Sequence, residues 1–260
     1  MITIAENLTA TSPIVAEALK SLDPGPIASI AEKASKAGVD YLDVNLGHGG
    51  KRALERLEFV LDVLSTSWGG PLWIDTVDPE LMKRAANLWE GGVVLNGYAG
   101  GGEREGAIAV AASMELDLVV FLMGKGVPKS FEERLSLATE LVERCVNGGV
   151  ALERIIIDPV LAPLGWIDGQ ERNADLIKIL RALPEVFGVP LRSMVGLSNL
   201  LTRSTGQRAA RWLEEVFLAM AAGAGLTHVM LDASNEELLK RAKAVTLLSG
   251  EGLFAPEEWL

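Results

Sequence analysis

Leu118-Val119-Val120-Phe121-Leu122 is followed by a helix-period segment from Ser130 to Asn147 and then by Ile155-Ile156-Ile157-Asp158-Pro159. Both short runs are apolar at consecutive positions, which is how a strand buried on its two faces reads. A buried strand, an amphipathic helix and a second buried strand make a parallel βαβ unit. The same alternation extends in both directions. The other runs are Ile2 to Ala5, Tyr41 to Val44, Leu72 to Ile74, Val93 to Leu95, Leu191 to Val195 and His228 to Leu231. Helical segments are expected at Ile14 to Lys20, Ile27 to Lys36, Lys51 to Ser65, Pro79 to Trp89, Asn173 to Leu183, Gln207 to Ala222 and Asn235 to Leu248, with a turn at Asp23-Pro24-Gly25-Pro26. Eight such strands in a chain of 260 residues fit a closed (β/α)8 TIM barrel better than an open sheet. The first strand also lacks the glycine-rich turn that a dinucleotide-binding fold would place there. A single domain over residues 1–260 is expected, its tail packed across the barrel by Phe254 and Trp259.

Composition removes several classes. An apolar fraction of 49% excludes global disorder, and one cysteine excludes a disulfide scaffold. The 24 Lys and Arg are outweighed by 35 Asp and Glu, a net charge of -11. Nucleic acid and an anionic membrane are therefore poor partners, since each needs a cationic surface. No 18-residue apolar run suggests a transmembrane span. Glu6 and Asn7 interrupt the apolar start, and no cationic segment precedes it, so no secretory leader is expected and the cytoplasm is the default location. Cys145 lies in a helical pattern and reads as a buried thiol.

In a parallel barrel the carboxyl ends of the strands converge on one face, where chemistry is carried out. The residues there are Glu6-Asn7, Asp43 and Asn45 (one side of their strand by alternation), Asp75, Asn96, Asp158, Asn199 in Gly196-Leu197-Ser198-Asn199, and Asp232. Each could cap the helix that follows. Asp75, Asn96 and Asp158 have weaker claims to that role: Asp78 is a better cap than Asp75, a glycine-rich loop follows Asn96, and a proline follows Asp158. A carboxylate accepts two N–H groups side by side, and a carboxamide offers one donor and one acceptor. Such a cup suits the edge of a flat heterocycle and not a phosphate. Arg192 lies within the seventh strand and Lys125 beyond the fifth, so a Schiff-base lysine is disfavoured. Two histidines and one cysteine are too few for a zinc site. His228 reads as structural, and His48 as a loop residue over the cup. A hard-cation site from Glu6, Asp43, Asp75, Asp158 and Asp232 stays open on chemistry alone, and would make the chain a metal-dependent lyase or isomerase.

At these residues the sequence resembles the pterin-binding (β/α)8 barrels, specifically the methyltetrahydrofolate:corrinoid-protein methyltransferases. The resemblance rests on Leu42-Asp43-Val44-Asn45 with Gly47, Ile74-Asp75-Thr76, Leu95-Asn96, Ile157-Asp158-Pro159 and Gly196-Leu197-Ser198-Asn199, in order, over nearly the whole chain. It implies that Asp75, Asn96 and Asp158 hydrogen-bond the pterin edge. It implies that Asn199 reaches N5, that Asp43 and Asn45 shape the cup, and that Ser198 sits beside the mobile asparagine. Asn199, Asp75 and Asp158 would be the catalytic set, and Glu6 would join the binding set. The family moves a methyl group between N5 of tetrahydrofolate (5-methyltetrahydrofolate when loaded) and the cobalt of a corrinoid, a cobalamin-type group held by a separate corrinoid protein. It needs no metal of its own, and a homodimer is the assembly the likeness implies. The family's opening Gly-Glu-Arg-Ile-Asn is replaced here by Ala5-Glu6-Asn7-Leu8-Thr9, and Thr202-Arg203 follows where other polar residues are usual. Dihydropteroate synthases share the barrel but carry a lysine near the seventh strand and an arginine-rich anion site near the eighth. Here Met194-Val195-Gly196 and Met230-Leu231-Asp232 stand in those places. A non-enzymatic pterin-binding barrel is the remaining alternative.

Overall fold

The computed structural model describes residues 1–47, 50–100, 102–124, 126–202, 210–250 and 254. Eight parallel strands close in sequence order into a barrel: β1 (Ile2–Thr9), β2 (Tyr41–Asn45), β3 (Leu72–Asp75), β4 (Val93–Ala99), β5 (Asp117–Phe121), β6 (Ile155–Asp158), β7 (Arg192–Gly196) and β8 (His228–Leu231). The last strand pairs with the first, Ile4 opposite Met230, so no edge is left open.

The helices are α1 (Pro13–Ser21), α2 (Pro24–Ala37), α3 (Ala53–Ser67), α4 (Pro79–Leu88), α5 (Gly106–Met114), α6 (Phe131–Asn147), α7 (Gly169–Phe187), α8 (Trp212–Ala222) and α9 (Glu236–Leu248). Several of their ends follow directly from local chemistry. Asp78 accepts from the Glu80 amide at 2.9 Å, with Pro79 opening α4. Ser130 accepts from the Glu133 amide while Glu133 accepts from Lys129 N, a reciprocal cap displaced by one residue. The expected turn at Asp23–Pro26 is instead the first turn of α2, because Asp23 caps it through the Gly25 amide. Helix α5 has no counterpart among the expected elements. Its sequence, Gly-Ala-Ile-Ala-Val-Ala-Ala-Ser-Met, is small and apolar nearly all round, so it shows no stripe to read. The expected start of α8 at Gln207, and the tail residue Trp259, lie outside the described residues; Phe254 is exposed.

Two cores result. Inside the barrel, Ile4, Trp73, Val94, Val119, Ile156, Met194 and Met230 form one plug, with Tyr41 and Phe121 against it. Between strands and helices lies the larger annular core, which includes Cys145. Strand period then sets the site. Two residues beyond each plug residue, the side chain again faces inward at the carboxyl end of the barrel. That rule carries Ile4 to Glu6, Trp73 to Asp75, Val94 to Asn96, Ile156 to Asp158 and Met230 to Asp232. Two residues before the plug, the rule leads to the opposite mouth. There Arg192 donates to Asp117 at 2.6 Å and to the Glu153 carbonyl at 2.7 Å, and His228 sits buried beside Thr227. His228 is structural as expected: burial first, then the charge of Arg192, press it down to about 4. Arg192 belongs to this closed mouth and not to the cup.

Candidate active site at the carboxyl face

Five polar side chains at the carboxyl mouth are joined in one chain of hydrogen bonds. Asn45, on β2, donates to Asp75 Oδ2 at 2.7 Å. Its own Oδ1 accepts from the Gly47 amide, which holds the turn after the strand. Arg104 donates through Nη2 to Asp75 Oδ1 at 3.1 Å, and through Nη1 to the carbonyls of Asn96 and Gly97 at 3.2 and 3.0 Å. The guanidinium also lies over the Phe121 ring, 5.3 Å from its centroid. Asn96 donates to Asp43 Oδ1 at 3.1 Å. The register of β4 against β5 breaks between Asn96 and Tyr98, and Asn96 lies inside this strand and not at its end. Glu6 likewise sits within β1, whose register shifts between Ala5 and Leu8.

Across the mouth, Asp158 accepts from the Val160 amide at 2.8 Å, with Val160 in the left-handed region at φ 60°. Ser198 donates to Glu6 Oε2 at 2.8 Å. Asn7 donates to Asp232 at 2.7 Å and accepts from the Ala233 amide, and Arg211 stands 3.5 Å from Asp232. Asn199 is exposed on the short 3-10 turn Leu197–Leu201 beside Gly196. A β-carbon at Gly196 would come within 3.4 Å of Asn199 Nδ2, so glycine leaves that amide room. A cleft of about 800 Å³, partly open to solvent, is lined by Glu6, Ser198, Thr202, Arg211, Glu214 and Asp232.

The electrostatics are those of acids brought out of water. Burial pushes Asp158 up to about 7, against the pull of the Val160 amide and of the buried Arg134. Burial also raises Glu6 to about 7, with Ser198 opposing and the charges of Asp232 and Glu214 adding. Asp43 is 4% exposed and held well above the carboxylate range by burial and by Asp75. Asp75 is raised by burial but drawn back by Arg104 and Asn45. Burial also acts on Asp232, but hydrogen bonds from Ser234 and Asn7 outweigh it and leave that carboxyl below its ordinary value. One acceptor is left over: Asn96 Oδ1 is buried without a partner. A buried orphan acceptor is costly and points to a ligand donor or water.

The eight residues of the expected binding set lie at the carboxyl face, Glu6, Asp43, Asn45, Asp75, Asn96, Asp158, Ser198 and Asn199, and so do Asn7 and Asp232. Two details differ. Asp75 is not spare, because both its oxygens are bonded. An arginine does serve the cup: Arg104 comes from the loop after β4, eight residues beyond Asn96, where strand-end reasoning does not look. A glycine run ahead of a lone arginine was the available signal. The cation site once open to Glu6, Asp43, Asp75, Asp158 and Asp232 does not form. Among the described residues no three acids, histidines or cysteines are grouped to hold a metal ion. Asp75 and Asp232 face amides and arginines instead. His48, Lys125 and Arg203 lie outside the described residues.

The sequence profile of one family matches residues 7–232, from β1 to the residue after β8 of this closed barrel. The chain belongs to the pterin binding enzyme family. It is 25% identical over 256 residues to a methylcorrinoid:tetrahydrofolate methyltransferase of Eubacterium limosum, covering 96% of this chain and 92% of that protein. It is 27% identical over 203 residues to a dihydropteroate synthase of Neisseria meningitidis serogroup B, covering 69% and 68%. Among solved structures, a Xanthomonas albilineans dihydropteroate synthase with 4-aminobenzoic acid superposes with a TM-score of 0.66 at 21% identity, over 96% of this chain and 91% of that one. The Vibrio fischeri 7,8-dihydropteroate synthase gives 0.66 at 18%, over 97% and 94%. These structures share the closed eight-strand barrel fold. Among the described residues no helix is long and apolar enough to cross a membrane.

Proposed function

We propose that this pterin-binding barrel transfers a methyl group between N5 of tetrahydrofolate and the cobalt of a corrinoid carried by a partner protein. The observation that carries the reading is the orphan acceptor Asn96 Oδ1, set among buried acids, with the neighbouring Arg104 guanidinium already engaged by Asp75 and by the Asn96 and Gly97 carbonyls. Amino and ring N–H groups of a pterin would meet Asn96 and the carboxyls of Asp75 and Asp158. The near-full-length likeness to a methylcorrinoid:tetrahydrofolate methyltransferase supports the same choice.

The chain's own groups have definable tasks. Methyl loss from N5 needs that nitrogen to gain positive character, because an unprotonated amine would have to depart as an anion, a poor leaving group, whereas a protonated one departs as the neutral amine. Asn199 is exposed and has room beside Gly196, so its amide can swing to N5 and hydrogen-bond it. An amide does not titrate in this range, so Asn199 orients and does not supply the proton. Glu6, poised near 7 and bonded to Ser198 next to Asn199, is suited to hold that proton at working pH. The partner's corrinoid supplies the metal that accepts or gives the methyl group. The partner must approach and leave at each turnover, which a transient contact of modest area allows.

A dihydropteroate synthase activity is the second reading, favoured by the solved neighbours. The cleft beside β7 and β8 argues against it: Glu6, Glu214 and Asp232 face it with Arg211 as the cation among its lining residues, which disfavours an anionic leaving group. The deciding experiment follows cobalt oxidation and methylation by absorbance, in both directions, with 5-methyltetrahydrofolate or tetrahydrofolate and cobalamin. The proposal expects turnover and folate binding in the presence of chelator. It also expects Asn199→Ala to lose transfer much more than binding. Dihydropteroate formation without methyl transfer would overturn it.

A further inference from the structure

We propose that Arg104 is a positioning residue of the pterin pocket, which assigns the negative charge of the paired acids to Asp75 and leaves Asp43 as a neutral acid able to donate a hydrogen bond. This rests on the pterin-binding reading for its purpose, but its geometry stands alone. Asp43 and Asp75 come from adjacent strands, and the register sets Asp43 opposite Trp73, one layer deeper than Asp75, which pairs with Asn45. A charge on Asp75 raises the cost of ionising Asp43 in this buried site. The donors around them are unequal. Asp75 receives the guanidinium on one oxygen and the Asn45 amide on the other. Asp43 receives one amide N–H, from Asn96, and is almost sealed from water.

The other charged groups around the pair do not reverse this order. Glu6 on β1 adds negative charge on the side of Asp43. Arg56 on α3 lines a small cavity together with Asp75. The charge of Glu6 therefore favours the proton on Asp43.

Arg104 also ties down the strand that carries Asn96. Its Nη1 bridges the Asn96 and Gly97 carbonyls while Phe121 supports the guanidinium plane from below. One side chain thus sets the charge of Asp75, the position of Asn96 and, through Asn96, the environment of Asp43. The chemical consequence is selectivity. An ionised Asp75 accepts N–H groups, and a protonated Asp43 offers its hydrogen to an acceptor atom. A ring edge that alternates donors and acceptors fits both, and a purely anionic or purely cationic ligand fits neither.

The test needs no ligand in its first part. Aspartate carboxyl carbons labelled with carbon-13 are followed by NMR from about pH 5 to about pH 9 in the native protein and in Arg104→Met, Arg104→Lys, Asp43→Asn and Asp75→Asn. Besides the Asp158 step, the native protein should show two separate steps, the lower absent in Asp75→Asn and the higher absent in Asp43→Asn. Arg104→Met should raise the Asp75 step by about one pH unit or more, and Arg104→Lys should keep the native order. Should Arg104→Met not fold, Arg104→Gln takes its place in the same comparison, and in Asp75→Asn the Asp43 step must move down once its charged neighbour is gone. An Asp75 step unmoved in Arg104→Met, or an Asp43 step unmoved in Asp75→Asn, overturns the assignment.

The second part measures the Kd of 5-methyltetrahydrofolate at about pH 6 and about pH 8. Arg104→Met should weaken binding several-fold more at the lower pH, because loss of the guanidinium makes Asp75 easier to protonate. Equal weakening at both pH values would mark a merely structural arginine and would also overturn the proposal. If the native protein binds no reduced folate, the proposed function fails, while the carboxyl titration still judges Arg104.

Discussion

Replacing Asp158 with asparagine should make the protein more stable and a poorer binder, and the stabilisation should grow with pH. Asp158 is 6% exposed, and its carboxyl is raised from the ordinary 3.8 to about 7, chiefly by burial. An acid whose folded-state pKa lies above its unfolded value holds its proton more tightly in the folded chain. Its contribution to stability is fully present below about pH 4 and is lost as pH rises through about 7. Each unit in that window costs about 1.4 kcal/mol. Between about pH 5.5 and about pH 8.5 the native protein crosses roughly 1.5 units of the window, so Asp158 alone removes about 2 kcal/mol. Asparagine keeps an oxygen for the Val160 amide and has no charge to bury. The difference between variant and native should therefore widen by about 2 kcal/mol over that range. With a urea m-value of about 2–3 kcal/mol per M, the midpoint difference grows by about 0.7–1 M. Urea melts of both proteins at the two pH values measure this directly, and comparing differences cancels every other titrating group. A variant whose advantage is the same at both pH values would refute the burial argument. Folate affinity should fall by about tenfold or more at the higher pH, since one charge-assisted acceptor is lost.

Gly97→Ala should be severe. A β-carbon there would collide with the Val119 carbonyl and the Val119 side chain, so the Asn96 segment must move, and both thermal stability and folate binding should drop. Trp73→Ala should cost about 3–5 kcal/mol in denaturant melts, because Trp73 is fully buried at the centre of the barrel plug. Trp73→Phe should cost much less, since the indole N–H has no partner to lose. Cys145 is fully buried with its thiol pushed up to about 12, so a thiol reagent at neutral pH should label it only after urea is added. Folate binding near pH 6.5 should release protons as Asp158 ionises against ligand N–H groups; calorimetry in buffers of different ionisation enthalpy would detect the release, and none at all would remove Asp158 from the pterin edge.

The chain reveals its barrel through period alone. Runs such as Ile155-Ile156-Ile157 can only be strands covered on both faces, and capped amphipathic segments such as Phe131–Asn147 can only lie outside them. The same period of two carries most interior residues to a polar one at the carboxyl mouth (Val119 leads to Phe121 and Met194 to Gly196), so Glu6, Asp43, Asn45, Asp75, Asn96 and Asp158 were legible as a set. Helix α5 was not, because a segment of alanines and other small residues has no face to distinguish. Arg104 was not, because no periodicity governs a loop and its partners lie on β3 and β4. Nor could any run of letters separate Asp43 from Asp75. Both are strand aspartates followed within two positions by a small polar residue, yet one is sealed beside an amide and the other meets a guanidinium. Which acid is charged depends on distances between elements far apart in the chain, since desolvation and Coulomb forces act through space and leave no pattern along the backbone.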